Sequence, residues 1–431
     1  MLDVPEVIKA YKTTAANLLH DPDNPEYLAN QYTLLSTTLR SPAQLALARR
    51  CALAAPTQFI ALFNYAAALM RDGRDSVKAF MSALSVAPDD RRAITLHHLG
   101  LAHHDRGEYD QALKYYELAL GRGADPVFHG SVAIAKLAKG QLREGLHEFE
   151  VLNHKPVRKP ISDSGIPRWN GEDLTDKTVI LAHEQGFGDT LQFIRFAPLL
   201  AKKCKKLILS GPPSLTGLLS DNFKFKAVIG EEGPFKADYV TSCMAACALL
   251  GIEYKDIKCE PYMKAKPKDL PARGKLKVGL SWKGSPGFAM DALRSAKLED
   301  FCPLFDLPGA AFYSLQVRPG PEEISNLGLD GFIADLGSTL GDWRDTAAAI
   351  AAMDVLVATD SANAHMAGAL GKPVLLMLGK APCWRWMKGE KTPWYSGHKI
   401  FRQSVVDQWP IAAVRKELEG MLSERRTQAA A

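Results

Sequence analysis

Residues 181–200 read LAHEQGFGDTLQFIRFAPLL, where a carboxylate, Asp189, follows a Gly-x-Gly turn made by Gly186 and Gly188. Aspartate in that place caps a helix. A carboxylate at the mouth of a cleft also accepts a proton from an attacking hydroxyl. The two readings are compatible, because a capping residue is well held. His183 and Glu184, at the end of the preceding apolar run, are second-choice bases. Farther on, SWKGSPGFAMDALRS sets Ser281, Lys283, Asp291, Arg294 and Ser295 on a Gly- and Pro-containing loop. A cation above a strand end suits a phosphate group; a solvated loop charge is the plain alternative for Lys283. A third stretch, ATDSANAHMAGALGKP, carries Asp360, Ser361, Ala362, Asn363 and His365. Ser361, Ala362 and Asn363 would offer backbone N–H groups to an anion at a helix start. Asp360 would cap that helix or hold a sugar or ribose hydroxyl, and His365 is either a satisfied structural ring or a phosphate donor.

These residues need strand ends to stand on. Apolar runs predict strands at Val179–Ala182, Leu207–Leu209, Lys277–Trp282, Phe312–Gln316, Val355–Thr359 and Val374–Leu378, alternating with helical patterns. Strand and helix in alternation argue for parallel sheets. Two Rossmann-like lobes, 171–265 and 275–403, would flank a cleft, joined by the linker AKPKDLPARGK. The turn GFGDTL has two glycines of the dinucleotide fingerprint, but Leu191 replaces the third, and KKLILSGPP ends in no acid. A nicotinamide cofactor is therefore not expected. APCWRWMKGEKTPWYSGHKIFRQ interleaves aromatics with cations. It reads as a wall for a sugar or nucleobase, or, for Trp384 and Trp386, as core. The segment 404–431 predicts a last helix and a disordered tail, RRTQAAA.

Residues 1–160 follow a different pattern, with Ala- and Leu-rich helical stretches punctuated by Pro56, Pro88 and Pro126, near a period of about 34 residues. In LHHLGLAHHDRGEYDQALKYYELALGRGADP, Gly100 and Ala112 would let two antiparallel helices approach, Tyr109 and Tyr116 would fill the groove, and Pro126 would stop the second helix. Weaker copies end near Pro56 and Pro88, and another follows Pro126. The region resembles the tetratricopeptide repeat family, whose stacks form concave grooves for peptides or partner helices; a generic helical bundle is the alternative. The boundary is expected near 160–170.

The chain's 431 residues, 47% of them hydrophobic, support several cores. No run of roughly 18 apolar residues suggests a membrane span. The opening MLDVPEVIKAYK lacks the plan of an export signal. Seven cysteines form no Cys-x-x-Cys pair, and Cys243 and Cys247 read as buried thiols of a helix, so a reduced, cytoplasmic protein is expected. A net charge of +5, scattered along the chain, tolerates anionic ligands and says little for nucleic acid.

Taken together, EQGFGDTLQFIRFAPLL, GLSWKGSP with LRS, DSANAHMAGALGKP and APCWRW with TPWY and FRQ resemble a GT-B glycosyltransferase, more closely the lipopolysaccharide heptosyltransferase family (glycosyltransferase family 9) in a branch fused to tetratricopeptide repeats. The fold implied is an α-helical tetratricopeptide repeat domain followed by an α/β GT-B fold. The resemblance makes Asp189 the catalytic base. It places the donor beside Lys283, Arg294, Asp360, Ser361, Ala362 and His365; the residues themselves add Gly186, Gly188 and Ser295 as expected phosphate contacts and His183, Glu184, Gln316 and Trp384 as candidate donor or acceptor contacts. The chain departs from the family's pattern at Met290, Lys380 and Cys383. A nucleotide-sugar is implied as substrate, with no cofactor. No Asp-x-Asp follows a strand, so no metal is expected. The repeats favour a protein acceptor, flagellin or another surface protein among the candidates.

Overall fold

The computed structural model describes residues 4–38, 43–123, 125–152, 164–183, 185–230, 235–271, 274–285, 287, 291–317, 320–380, 383–405 and 408–430. The chain divides into two compact units, Met1–Lys139 and Gly140–Ala431.

In the first unit the described residues form eight helices: Val4–His20, Pro25–Thr38, Ala43–Ala54, Phe59–Arg71, Val77–Ser85, Asp89–Asp105, Tyr109–Leu120 and Pro126–Ala138. Each packs on the next. The tightest approach has a definite cause. A Cβ at Gly100 would collide with the Tyr116 ring and stand 3.2 Å from the Ala112 carbonyl oxygen. Ala112 and Tyr116 are themselves fully buried. Gly73 and Gly107 make the turns between paired helices at φ 70° and 71°, a conformation that favours glycine. One expectation is corrected: Pro126 does not stop the second helix, which ends at Leu120, but opens the next one. Its missing N–H costs nothing at a helix start, and the Asp125 side chain caps that end by accepting from the Val127 N–H at 2.8 Å.

The second unit begins earlier than the sequence boundary of 160–170. Helix Leu142–Leu152 packs on helix Cys243–Leu249, with Leu142 and Leu146 buried. Among its described residues the unit holds ten strands: β1 (Thr178–Ala182), β2 (Lys206–Ser210), β3 (Ala227–Ile229), β4 (Tyr239–Ser242), β5 (Leu276–Ser281), β6 (Ala310–Ser314), β7 (Ile333–Asp335), β8 (Val355–Thr359), β9 (Val374–Leu378) and β10 (His398–Arg402). They form two sheets, β3-β2-β1-β4 and β10-β9-β8-β5-β6-β7. Every pairing is parallel. The larger sheet's core joins Val278, Leu280, Val355 and Val357 to Val414, Leu418 and Leu422 of the last helix. That helix runs Ile411–Ala430, which corrects the expectation of a disordered RRTQAAA tail. Arg425 donates to Asp354 at 3.0 Å and Arg426 to the Pro308 carbonyl at 3.3 Å, so both hold the helix end to the lobe. No helix among the described residues is long and apolar enough to cross a membrane.

Candidate functional site

In open parallel sheets, ligands collect beyond the carboxyl ends of the strands where the strand order reverses. The reversals fall between β1 and β4 in the smaller sheet and between β5 and β8 in the larger. The candidate residues stand at these ends.

After β1 the chain turns through Gln185, at φ 55°, into helix Phe187–Phe193. Asp189 is the third residue of that helix, and its Oδ2 accepts from the Gly186 N–H at 3.0 Å. The capping reading thus holds for one oxygen. The other, Oδ1, accepts from the Arg385 guanidinium in an ion pair that crosses between the two sheets' lobes. The pair is screened but not sealed, with side chains 11% (Arg385) and 19% (Asp189) exposed. His183 is buried, its Nδ1 2.7 Å from Thr190 Oγ1, and its ring stacks on Phe187. It is engaged with its own lobe. Glu184 and Met290 lie outside the described residues.

On the opposite side, Ser361 precedes helix Ala362–Ala369 and makes no side-chain cap. Ser281, at the end of β5, lies 3.4 Å from Ser361 Oγ, and Asn363 Nδ2 donates to Ser281 Oγ at 3.1 Å. Arg294 Nε donates to Asp291 Oδ1 at 2.9 Å, and Ser295 Oγ donates to Asp291 Oδ2 at 2.8 Å. Ser295 Oγ also accepts from the Gly284 N–H at 3.0 Å. Ser295 therefore fixes the loop. Lys283 is less open than its sequence suggested: its ammonium pairs with Glu323, which also accepts from Trp282 Nε1 at 2.7 Å. Gln316 is buried and accepts from the Lys283 N–H at 3.0 Å, bracing the same loop.

The two sides meet. A Cβ on Gly188 would stand 3.0 Å from His365 Cδ2 and 3.5 Å from Ala362 Cα, so helix Phe187–Phe193 presses its start against the start of helix Ala362–Ala369. This is what the second glycine of the turn is for. Loss of water pushes the Asp360 carboxyl above the ordinary carboxylate range, opposed by Trp386, Arg294 and Arg385 and reinforced by the Asp189 charge. Burial first, then Arg385, His398, Arg195 and Arg294, hold His365 well below the usual imidazole range. His365 is neutral in this setting. Its Nδ1 lies 2.9 Å from the Tyr395 hydroxyl, and its ring stacks on Trp386 at 4.8 Å. The structural reading of His365 fits better than a charged phosphate donor.

Asp189, Arg294, Asp360, Ser361, Ala362 and His365 thus share one neighbourhood, with Gly186 and Gly188 shaping its floor. Trp384 is buried beneath Arg385, whose guanidinium carbon sits 4.3 Å from a ring centroid of the indole, so that face is not an open wall. Arg385, the ion-pair partner of Asp189, is the residue of this neighbourhood that motif spacing does not single out. Its one sequence signal is an arginine between two tryptophans, where the rings draw the eye first. Among the described residues no group of three or more His, Cys, Asp or Glu could hold a metal ion.

A family model described as tetratricopeptide repeat matches residues 57–122. The chain is similar to Protein FlbA of Caulobacter vibrioides, 25% identical over 462 residues that cover 95% of this chain and 74% of that protein. Similar solved structures include MamA 41-end from Desulfovibrio magneticus RS-1, 15% identical with TM-score 0.32, covering 34% of this chain and 84% of that one. Another is YrrB, described as a TPR protein with an unusual peptide-binding site, 15% identical with TM-score 0.30, covering 36% of this chain and 79% of that one.

Proposed function

We propose that this protein is a GT-B glycosyltransferase that moves a sugar from a nucleotide-sugar to an acceptor hydroxyl with inversion. The observation that supports it is the packing of Gly188, the neighbour of Asp189, against the start of helix Ala362–Ala369, with the Asp189 and Arg294 charges both acting on Asp360, at the strand-order reversals of two parallel sheets. Asp189 takes the acceptor's proton as the acceptor oxygen bonds to the sugar's anomeric carbon. The bond from that carbon to the phosphate oxygen breaks, and its electron pair leaves with the nucleotide. Arg294 and the N–H groups at Ser361 and Ala362 offset the charge that grows on the leaving phosphate. Asp360, drawn toward its neutral form, suits a hydroxyl of the sugar or ribose. The repeats, matched at residues 57–122, favour a polypeptide acceptor, such as flagellin or another surface protein.

One observation favours a second reading. Arg385 occupies Asp189, as it would in a repeat scaffold whose lobes bind a nucleotide without turning it over. A thermal-shift panel of UDP, GDP, ADP, CDP and CMP tests the shared premise. Binding to the folded state at about 100 times Kd adds about 2.7 kcal/mol of stability and raises Tm. We expect one nucleotide family to do so; a flat response across all five removes both readings.

A further inference from the structure

We propose that Arg385 is a counter-ion shared in time: it holds Asp189 in the empty protein and moves to the donor's phosphate when the nucleotide arrives, releasing Asp189 to act as base. This rests on the transferase reading and deepens it, since donor binding becomes the condition for base availability.

The geometry of the guanidinium carries the inference. Arg385 gives one terminal nitrogen to Asp189, its Nε to Gln192 Oε1 at 2.8 Å and its other terminal nitrogen to Cys383 Sγ at 2.9 Å. Burial keeps the Cys383 thiol protonated, against the opposing pull of Arg385. A thiol is a weak acceptor, so one of Arg385's donors is poorly met and a phosphate oxygen would satisfy it better. The surroundings are also short of partners. Gln192 Nε2, on the carboxamide that already holds Arg385, is fully buried with no hydrogen-bond partner among the described residues. Thr359 Oγ1, just before Asp360, is in the same state. Buried polar groups without partners are costly, and a ligand that supplies acceptors relieves them. Finally, the Arg385 charge acts on Asp360 and His365 together with that of Arg294, so the two cations share one electrostatic neighbourhood. The Trp384 face lies beneath the guanidinium, its carbon 4.3 Å from a ring centroid, and offers it a cation–π contact.

A double-mutant cycle read by calorimetry tests this on the full chain, with UDP, GDP, ADP, CDP and CMP as probes. The nucleotide that binds the unmodified protein is carried forward to Asp189→Asn, Arg385→Gln and the double variant. Asp189→Asn frees Arg385 and is expected to tighten binding by about threefold or more, while Arg385→Gln weakens it by about tenfold. In the Arg385→Gln background the Asp189→Asn gain is expected to vanish. A gain of equal size in both backgrounds shows simple charge removal, and Arg385 is then a fixed strut. In wild-type protein, which needs no foldable variant, the Arg385 Nε–H resonance should shift at saturating nucleotide; an unmoved resonance overturns the proposal while leaving the transferase reading intact. If no nucleotide binds the wild type, that reading fails first and this one with it.

Discussion

Lys283 and Arg294 are both cations of the loop after β5, and their surroundings give them different work. The Lys283 charge is answered by Glu323, whereas the Arg294 charge acts on the Asp360 carboxyl. Nucleotide affinity should follow that difference. Arg294→Ala is expected to weaken the bound nucleotide by about tenfold or more, and Lys283→Met by no more than about threefold. Calorimetry on the two variants checks it, and equal losses would return Lys283 to the phosphate. Residue type alone made both look like phosphate cations, because the pairing with Glu323 spans 40 residues. Asp189 is similar. Its place after a Gly-x-Gly turn was legible, and so was its capping role, which one oxygen fills, while the other is held by Arg385. Its partner was not legible, because Arg385 is 196 residues away and only the folded chain joins them.

The elements read well where burial is two-sided. All six predicted strands correspond to β1, β2, β5, β6, β8 and β9, the interior positions of the two sheets. The four without a strand signal, β3, β4, β7 and β10, are the sheet edges. An interior parallel strand is covered on both faces and reads as an unbroken apolar run. β3 and β7 have only three residues each and expose part of their surface, so the same signal is absent. Among the repeats, helix Asp89–Asp105 carries a pH response that its sequence did not announce. His97 is buried, stacks on Phe128 and lies 2.8 Å from Ser131 Oγ, tying that helix to Pro126–Ala138. Burial, helped by the His98 charge and opposed by Asp125, lowers its pKa to about 4. The folded state therefore binds fewer protons than the unfolded chain between about pH 6.5 and 4, and stability falls as the pH drops through that window, by up to about 1.4 kcal/mol per unit for this group. Helical melting followed from pH 7 to 4 should fall less steeply in His97→Gln than in the wild type; parallel slopes would show that His97 does not govern the loss.

In the whole molecule, the catalytic proposal lives in the second unit, where the two lobes are clasped by more than one contact. Arg344 pairs with both oxygens of Asp221 at 2.7 and 3.0 Å, Phe187 meets Trp343, and Arg195 Nη1 donates to the Trp394 carbonyl at 3.0 Å. In the proposed reaction such a seam would hold the lobes together around the donor and keep water from the charges inside. The most direct measurement incubates the purified chain with nucleotide-sugars and follows the anomeric proton by NMR, for the wild type and for Asp189→Asn. One nucleotide-sugar should lose its nucleotide, with water taking the acceptor's place at the anomeric carbon and its configuration inverted. Asp189→Asn should bind that nucleotide but turn over at least about a hundredfold more slowly. Turnover of Asp189→Asn at the wild-type rate, or retention of configuration, would contradict the role given to Asp189.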